Sequence, residues 1–107
     1  MLIGLACWLG VIDSRQLSAW AEDNPNGAAI FEVHCVGCHI NGGNIVRRGK
    51  TLKLPALKRN GVDSVAAIAE LVTNGKANMS AYGNRLTPDE IQAVATYVWQ
   101  RANQGWR

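Results

Sequence analysis

The run Cys35-Val36-Gly37-Cys38-His39 constrains this chain more than any other stretch of it. It is a C-x-x-C-H arrangement, the attachment signature for c-type haem. Two thiols three residues apart lie on adjacent turns of a helix, so each can add to one vinyl group of the same porphyrin. The histidine that follows is then held beneath the iron, where its imidazole supplies the proximal ligand. A haem also adds a large apolar body around which short helices pack.

Two other chemistries use cysteines at this spacing. A structural zinc site could draw on Cys35, Cys38 and a histidine, but it needs a fourth ligand. His34 and His39 flank the thiols too closely to complete a tetrahedron without distorting the helix. A thiol–disulfide site calls for a thioredoxin-like βαβ context, and the chain shows no convincing strand pattern.

At 107 residues there is room for one domain. Residues 2–12 form an apolar stretch with the length of a signal-peptide h-region, followed by Ala19-Trp20-Ala21 and the acidic pair Glu22-Asp23. This predicts a signal peptide over residues 1–21 and a single haem domain over 22–107. The alternative is an N-terminal anchor or buried helix; no Lys or Arg precedes the apolar run. The stretch is too short to span a bilayer, which takes about 20 apolar residues. Cys7 would leave with the signal, so the two remaining cysteines are those of the motif and no structural disulfide is available. Covalent c-type haem is attached outside the cytoplasm, so export is expected. After residue 21 the chain has ten basic and seven acidic side chains. Two haem propionates would nearly neutralise that balance, which does not call for nucleic-acid binding.

Turn residues divide the rest into four helices. The first is predicted to open at Asn24 as N-cap with Pro25 at the first helical position and to run to about Cys38. Ala28, Phe31, Cys35 and Cys38 recur at spacings of three and four, so both thiols are expected on the apolar stripe. A short helix is predicted from Pro55 to Arg59. A third, started by Asp63 or Val62, runs from Ser64 to Thr73, with Val65, Ile68, Ala69 and Val72 on one face and Asn74-Gly75 as its stop. Thr87-Pro88-Asp89-Glu90 combines an N-cap, an N1 proline and a capping box. The helix it opens runs to about Asn103 on a stripe of Ile91, Val94, Ala95 and Val98.

An electron-shuttling haem needs a second axial ligand, because a six-coordinate iron offers no open position to substrates. Met79 is the only methionine after residue 1. It lies 40 residues beyond His39, in a polar loop over 76–85 from which it can approach the opposite haem face. His/Met ligation raises the reduction potential. His34, the only rival, adjoins Cys35 and cannot reach the far face of the same porphyrin; it reads as a surface histidine. Arg47, Arg48, Lys50, Lys53, Lys58 and Arg59 form a basic run with no acidic residue between them. It reads as a solvated face, with Arg47, Arg48 or Lys50 as alternatives for pairing the propionates. Either reading permits docking on an acidic partner. Arg85, beside the ligand loop, is a candidate to line the haem edge.

These residues resemble the cytochrome c6 family over about 24–103. The resemblance rests on Gly27-Ala28-Ala29-Ile30-Phe31, Cys35 to His39, Gly42-Gly43-Asn44, Lys50-Thr51-Leu52, Val72-Thr73-Asn74-Gly75-Lys76, Met79 and Tyr82-Gly83-Asn84-Arg85-Leu86. It implies an all-α class I cytochrome c fold, four short helices around one covalent haem c. The terminal helices would cross through Gly27, Phe31, Val94 and Tyr97. It also implies Cys35 and Cys38 as haem anchors, His39 and Met79 as axial ligands, and Arg85 near the surface that meets photosystem I. The implied role is a monomeric, non-enzymatic electron carrier from cytochrome b6f to photosystem I or a terminal oxidase, not membrane-inserted and not nucleic-acid-binding. Two positions depart from the family pattern. Met79 is followed by Ser80 rather than Pro, and Leu71 stands where many members carry Gln, which is similar to a divergent c6-like subgroup of lower expected potential. The alternative function is a redox or diatomic-ligand sensor in which Met79 dissociates.

Overall fold

The computed structural model describes residues 25–107. The predicted signal peptide, Cys7 and the predicted N-cap Asn24 lie outside the described residues. Helices α1 (Gly27–His34), α2 (Val36–His39), α3 (Leu54–Arg59), α4 (Val65–Asn74) and α5 (Pro88–Asn103) follow in order, with 3₁₀ turns at Ile40–Gly42 and Arg48–Lys50. Among the described residues, the only β-type pairing is the isolated bridge between Lys76 and Met79.

The first helix departs from the sequence expectation at both ends. Asn26, not Asn24, is its cap: Asn26 Oδ1 accepts from Ala29 N at 3.2 Å, which leaves Pro25 outside the helix. At the other end the expected continuous helix breaks at Cys35, whose φ/ψ of −117/−33 ends α1 and starts α2 out of phase. The phase change separates the thiols. Cys35 packs on the core, whereas Cys38 is exposed, so the expectation of one apolar stripe holds only for Cys35.

The later helices follow their local signals closely. At α4 the start shifts from Asp63 or Val62 to Ser64, which caps the helix because its Oγ accepts from Ala67 N at 3.0 Å. Thr87 and Glu90 exchange both bonds of the capping box, at 2.8 and 3.1 Å. In α3, Pro55 falls one position later than predicted, after Leu54, where it still forfeits no intrahelical bond.

The core is a single cluster in which Phe31 of α1, Leu57 of α3 and Ile68 and Val72 of α4 surround α5 through Ile91, Val94, Ala95, Val98 and Ala102. Burying a side chain such as Val94 or Phe31 contributes about 1.5–3 kcal/mol. Helices α1 and α5 touch backbone to backbone at Gly27, where a Cβ would lie 2.3 Å from the Ala93 carbonyl oxygen and 2.9 Å from Tyr97 Cβ. Only a residue without a side chain permits that approach. Phe31 and Tyr97 continue the contact with ring centroids 5.4 Å apart.

Candidate haem site

The break at Cys35 aims the motif away from α1 into a tight turn. Cys38 N and His39 N both donate to Cys35 O, at 3.2 and 3.0 Å, and the chain then bends through Asn41 (φ 55) and Gly42 (φ 78). This bend brings the Gly43 carbonyl back to the His39 ring, where Nδ1 lies 2.7 Å from the oxygen. A carbonyl only accepts, so Nδ1 carries a proton, and in the neutral ring that leaves the Nε2 lone pair for a metal.

The two thiols sit in different surroundings. Burial pushes the Cys35 thiol from 9.0 up to about 11. A redox dithiol depends on a depressed thiol pKa, and Cys35 has the opposite. Among the described residues no group of three or more His, Cys, Asp or Glu could hold a metal ion, so the zinc reading lacks its fourth ligand. A neutral, buried sulfur fits a thioether.

Met79 is positioned by backbone alone. Lys76 N donates to Met79 O at 3.0 Å and Met79 N to Lys76 O at 2.9 Å, closing a four-residue turn. Its second residue, Ala77, has φ 52. The turn is pressed against the end of α4. A Cβ on Gly75 (φ 71) would lie 2.7 Å from Met79 O and 2.8 Å from Ala81 N. Beyond it, Tyr82 N donates to Val72 O at 2.8 Å and Gly83 N to Thr73 O at 3.0 Å. The Val72-Thr73-Asn74-Gly75-Lys76 stretch is therefore the platform on which the Met79 loop rests. Met79 itself, half-buried, packs on the same core as Cys35.

One link across the site was not anticipated from sequence. Tyr82 Oη donates to the His34 carbonyl at 3.1 Å, and the two rings meet edge to face with centroids 5.5 Å apart. His34 is thus half-buried rather than a free surface residue. The Arg85 guanidinium covers the Tyr82 ring at 4.3 Å, a cation–π contact. No sequence period signals a pair 48 residues apart.

The basic run is exposed throughout. Asn44 shapes its start, accepting from Val46 N and Arg47 N at 2.9 and 2.7 Å and donating to Lys50 O at 3.1 Å. Lys50 Nζ is engaged by Asn60 Oδ1 at 3.1 Å, which leaves Arg47 and Arg48 as the candidates for propionate pairing. Around the motif, Ile40, Ile45 and Val46 are exposed apolar side chains, 54–70 % accessible. That is apolar surface a bound porphyrin fits.

Comparison with known proteins agrees with this geometry. The family model described as cytochrome c oxidase, cbb3-type, subunit III matches residues 22–98. A cytochrome c6-like protein of Nostoc sp. (strain PCC 7120) is 54% identical over 103 residues, covering 96% of this chain and 93% of the relative. This chain belongs to the cytochrome c6 family. The crystal structure of cytochrome c6C from Synechococcus sp. PCC 7002 superposes with a TM-score of 0.71 at 64% identity, covering 73% of this chain and 95% of that one. Cytochrome c6B from Synechococcus sp. WH8102 gives 0.73 at 49% identity, over 76% and 92%. The architecture is the all-α class I cytochrome c fold. As a divergent c6 protein the chain carries one covalently attached haem c and serves in electron transfer. The donor set suits that group: a histidine whose Nδ1 is held by a carbonyl, a half-buried thiol packed on the core, a thioether on a loop tied to α4 and surrounding apolar surface. No helix among the described residues is long and apolar enough to cross a membrane.

Proposed function

We propose that this protein is an exported single-electron carrier that passes electrons between membrane complexes, from cytochrome b6f to photosystem I or to a terminal oxidase. Bound haem supplies an iron that cycles between ferric and ferrous states. Cys35 and Cys38 would hold it through thioether bonds. His39 would ligate the iron through Nε2 while Nδ1 donates to Gly43 O, and Met79 would supply a thioether sulfur as the second ligand. No residue is needed as acid, base or nucleophile, so the protein is a carrier rather than an enzyme. Residues 1–21 are proposed as the signal peptide and 22–107 as the monomeric haem domain; the family model begins matching at residue 22.

The observation that carries this reading is the His39–Gly43 contact of 2.7 Å, because it selects the tautomer that leaves Nε2 for iron and raises the ring's basicity. The Arg85–Tyr82 stack and the exposed Arg47 and Arg48 support a docking face whose encounters with acidic partners weaken as salt rises.

The test is a mass measurement on protein made with the haem-attachment machinery, followed by redox titration of Met79→Ala. Covalent addition of one haem is expected. The variant should lose the red-edge absorption of a methionine–ferric bond, and its potential should fall by more than about 0.1 V, within the roughly 0.8 V span that axial ligands set. An unchanged spectrum and potential would remove Met79 from the ligand set and favour another sixth ligand. Rapid carbon monoxide binding to the ferrous wild type would favour the sensing alternative.

A further inference from the structure

The turn that orients His39 is braced by a residue that haem attachment and ligation do not use. Beyond α5 the chain doubles back through Gly105 (φ 72) and Trp106 (φ 61), with Trp106 N donating to Arg101 O at 2.8 Å. A bulky residue in the left-handed region persists only where its surroundings over-determine it, and those of Trp106 do. Its indole Nε1 donates to Leu52 O at 3.0 Å. Leu52 N in turn donates to Gly42 O at 2.7 Å. The indole face lies so close over Gly42 that a Cβ there would be 2.5 Å from Cδ2 and Cε2. Phe31 and Tyr97 hold the ring from the other sides, at centroid distances of 5.5 and 6.2 Å.

Trp106, Leu52 and Gly42 therefore form a closed triangle of two hydrogen bonds and one face contact. The next peptide after Gly42 carries the carbonyl that receives the His39 proton at 2.7 Å. The triangle holds Gly42, the residue from which that carbonyl's position is built, and so limits how far the Gly42–Gly43 turn can shift from the ring. We infer that Trp106 is a positioning residue for His39: it fixes the Gly42–Gly43 turn and so sets the strength of the Nδ1–H···O bond. A stronger bond makes the imidazole more basic and favours the ferric state. The inference rests on the reading of His39 as an iron ligand.

The test uses haem-loaded wild type, Trp106→Ala, Trp106→Phe and Trp99→Ala. Trp99 is the control, because its Nε1 donates to Asp63 O at 3.2 Å, away from the His39 turn. Three quantities are read: the thermal midpoint, the reduction potential, and the solvent exchange of the His39 Nδ1 proton by NMR. In Trp106→Ala the bond to Gly43 loosens, so the potential should rise by an amount equal to about a threefold change in the oxidised-to-reduced ratio. The Nδ1 proton should exchange at least about tenfold faster. Trp106→Phe keeps a ring against Gly42 but loses the bond to Leu52, and should show both changes at about half size. Trp99→Ala should lower the thermal midpoint and leave the other two quantities as in wild type.

Potential and exchange unchanged in Trp106→Phe or Trp106→Ala, with only the thermal midpoint lowered, would overturn the inference and leave Trp106 a packing residue. A wild type without a coordinated His39 ring would overturn the ligand assignment itself, which the NMR spectrum of that sample shows before any variant is compared.

Discussion

The two sides of the proposed haem site hold their ligands by different means. His39 is fixed by a hydrogen bond on the ring itself, to a carbonyl four residues away in the same turn. Met79 has no comparable handle, since a thioether is a weak acceptor and no donor. It is placed instead by the 76–79 turn and by two bonds from Tyr82 and Gly83 to the end of α4. One ligand is oriented by a bond, the other by closure of a loop. The Met79 side is therefore the one expected to open first, because loosening its backbone moves the sulfur directly.

The most damaging change on that side is Gly75→Ala. At φ 71 and ψ 176 Gly75 occupies a region essentially restricted to glycine, which costs another residue about 1–3 kcal/mol, and displacing the Met79–Ala81 backbone adds to that. The holoprotein should lose about 3 kcal/mol in denaturant unfolding, and carbon monoxide should bind the ferrous form faster. If stability falls while carbon monoxide kinetics do not change, the loop is not what holds Met79. Next is Tyr82→Phe, which removes only the bond to His34 O while keeping the ring under Arg85. About 1 kcal/mol should be lost, and a loss near zero would mean the two sides are not tied through α1.

Ala77→Gly should act in the opposite direction. Relief of φ 52, offset by the greater freedom of glycine in the unfolded chain, leaves a gain of about 0.5 kcal/mol, read as a higher denaturation midpoint. Leu71→Gln should barely alter stability, because Leu71 is half-buried in the last turn of α4 and its backbone bond from Gly75 is kept. It should raise the midpoint potential if, as the family resemblance implies, the amide at this position tunes the haem; an unchanged or lowered potential would detach Leu71 from the lower potential expected of this divergent member.

The same contrast runs through what could be read from the sequence. Thr87 with Glu90 and the Ile91–Val98 stripe are written within a few residues of one another, so propensity and periodicity found them, whereas the α4 cap falls on Ser64 rather than on Asp63 or Val62. The motif on the His39 side is local too. The misplaced features are places where one local signal outcompeted another. Pro25 points to Asn24 as a cap, whereas the Asn26 side chain accepts from Ala29 N and starts the helix two residues later. A continuous 3.6-residue stripe placed both cysteines inward, while the break at Cys35 turned Cys38 out. The bonds from Tyr82 to His34 and from Trp106 to Leu52 span 48 and 54 residues. Only the assembled fold places those partners together.

The contact between Gly27 and Ala93 also bears on how the protein is made. It closes a loop of more than sixty residues, and bringing such ends together costs about 3–4 kcal/mol of chain entropy before any packing is recovered. A chain made from its N-terminus cannot form this contact until α5 has followed. The crossing of the first and last helices is therefore among the last contacts the fold can close, and Cys35 and Cys38 are synthesised well before it.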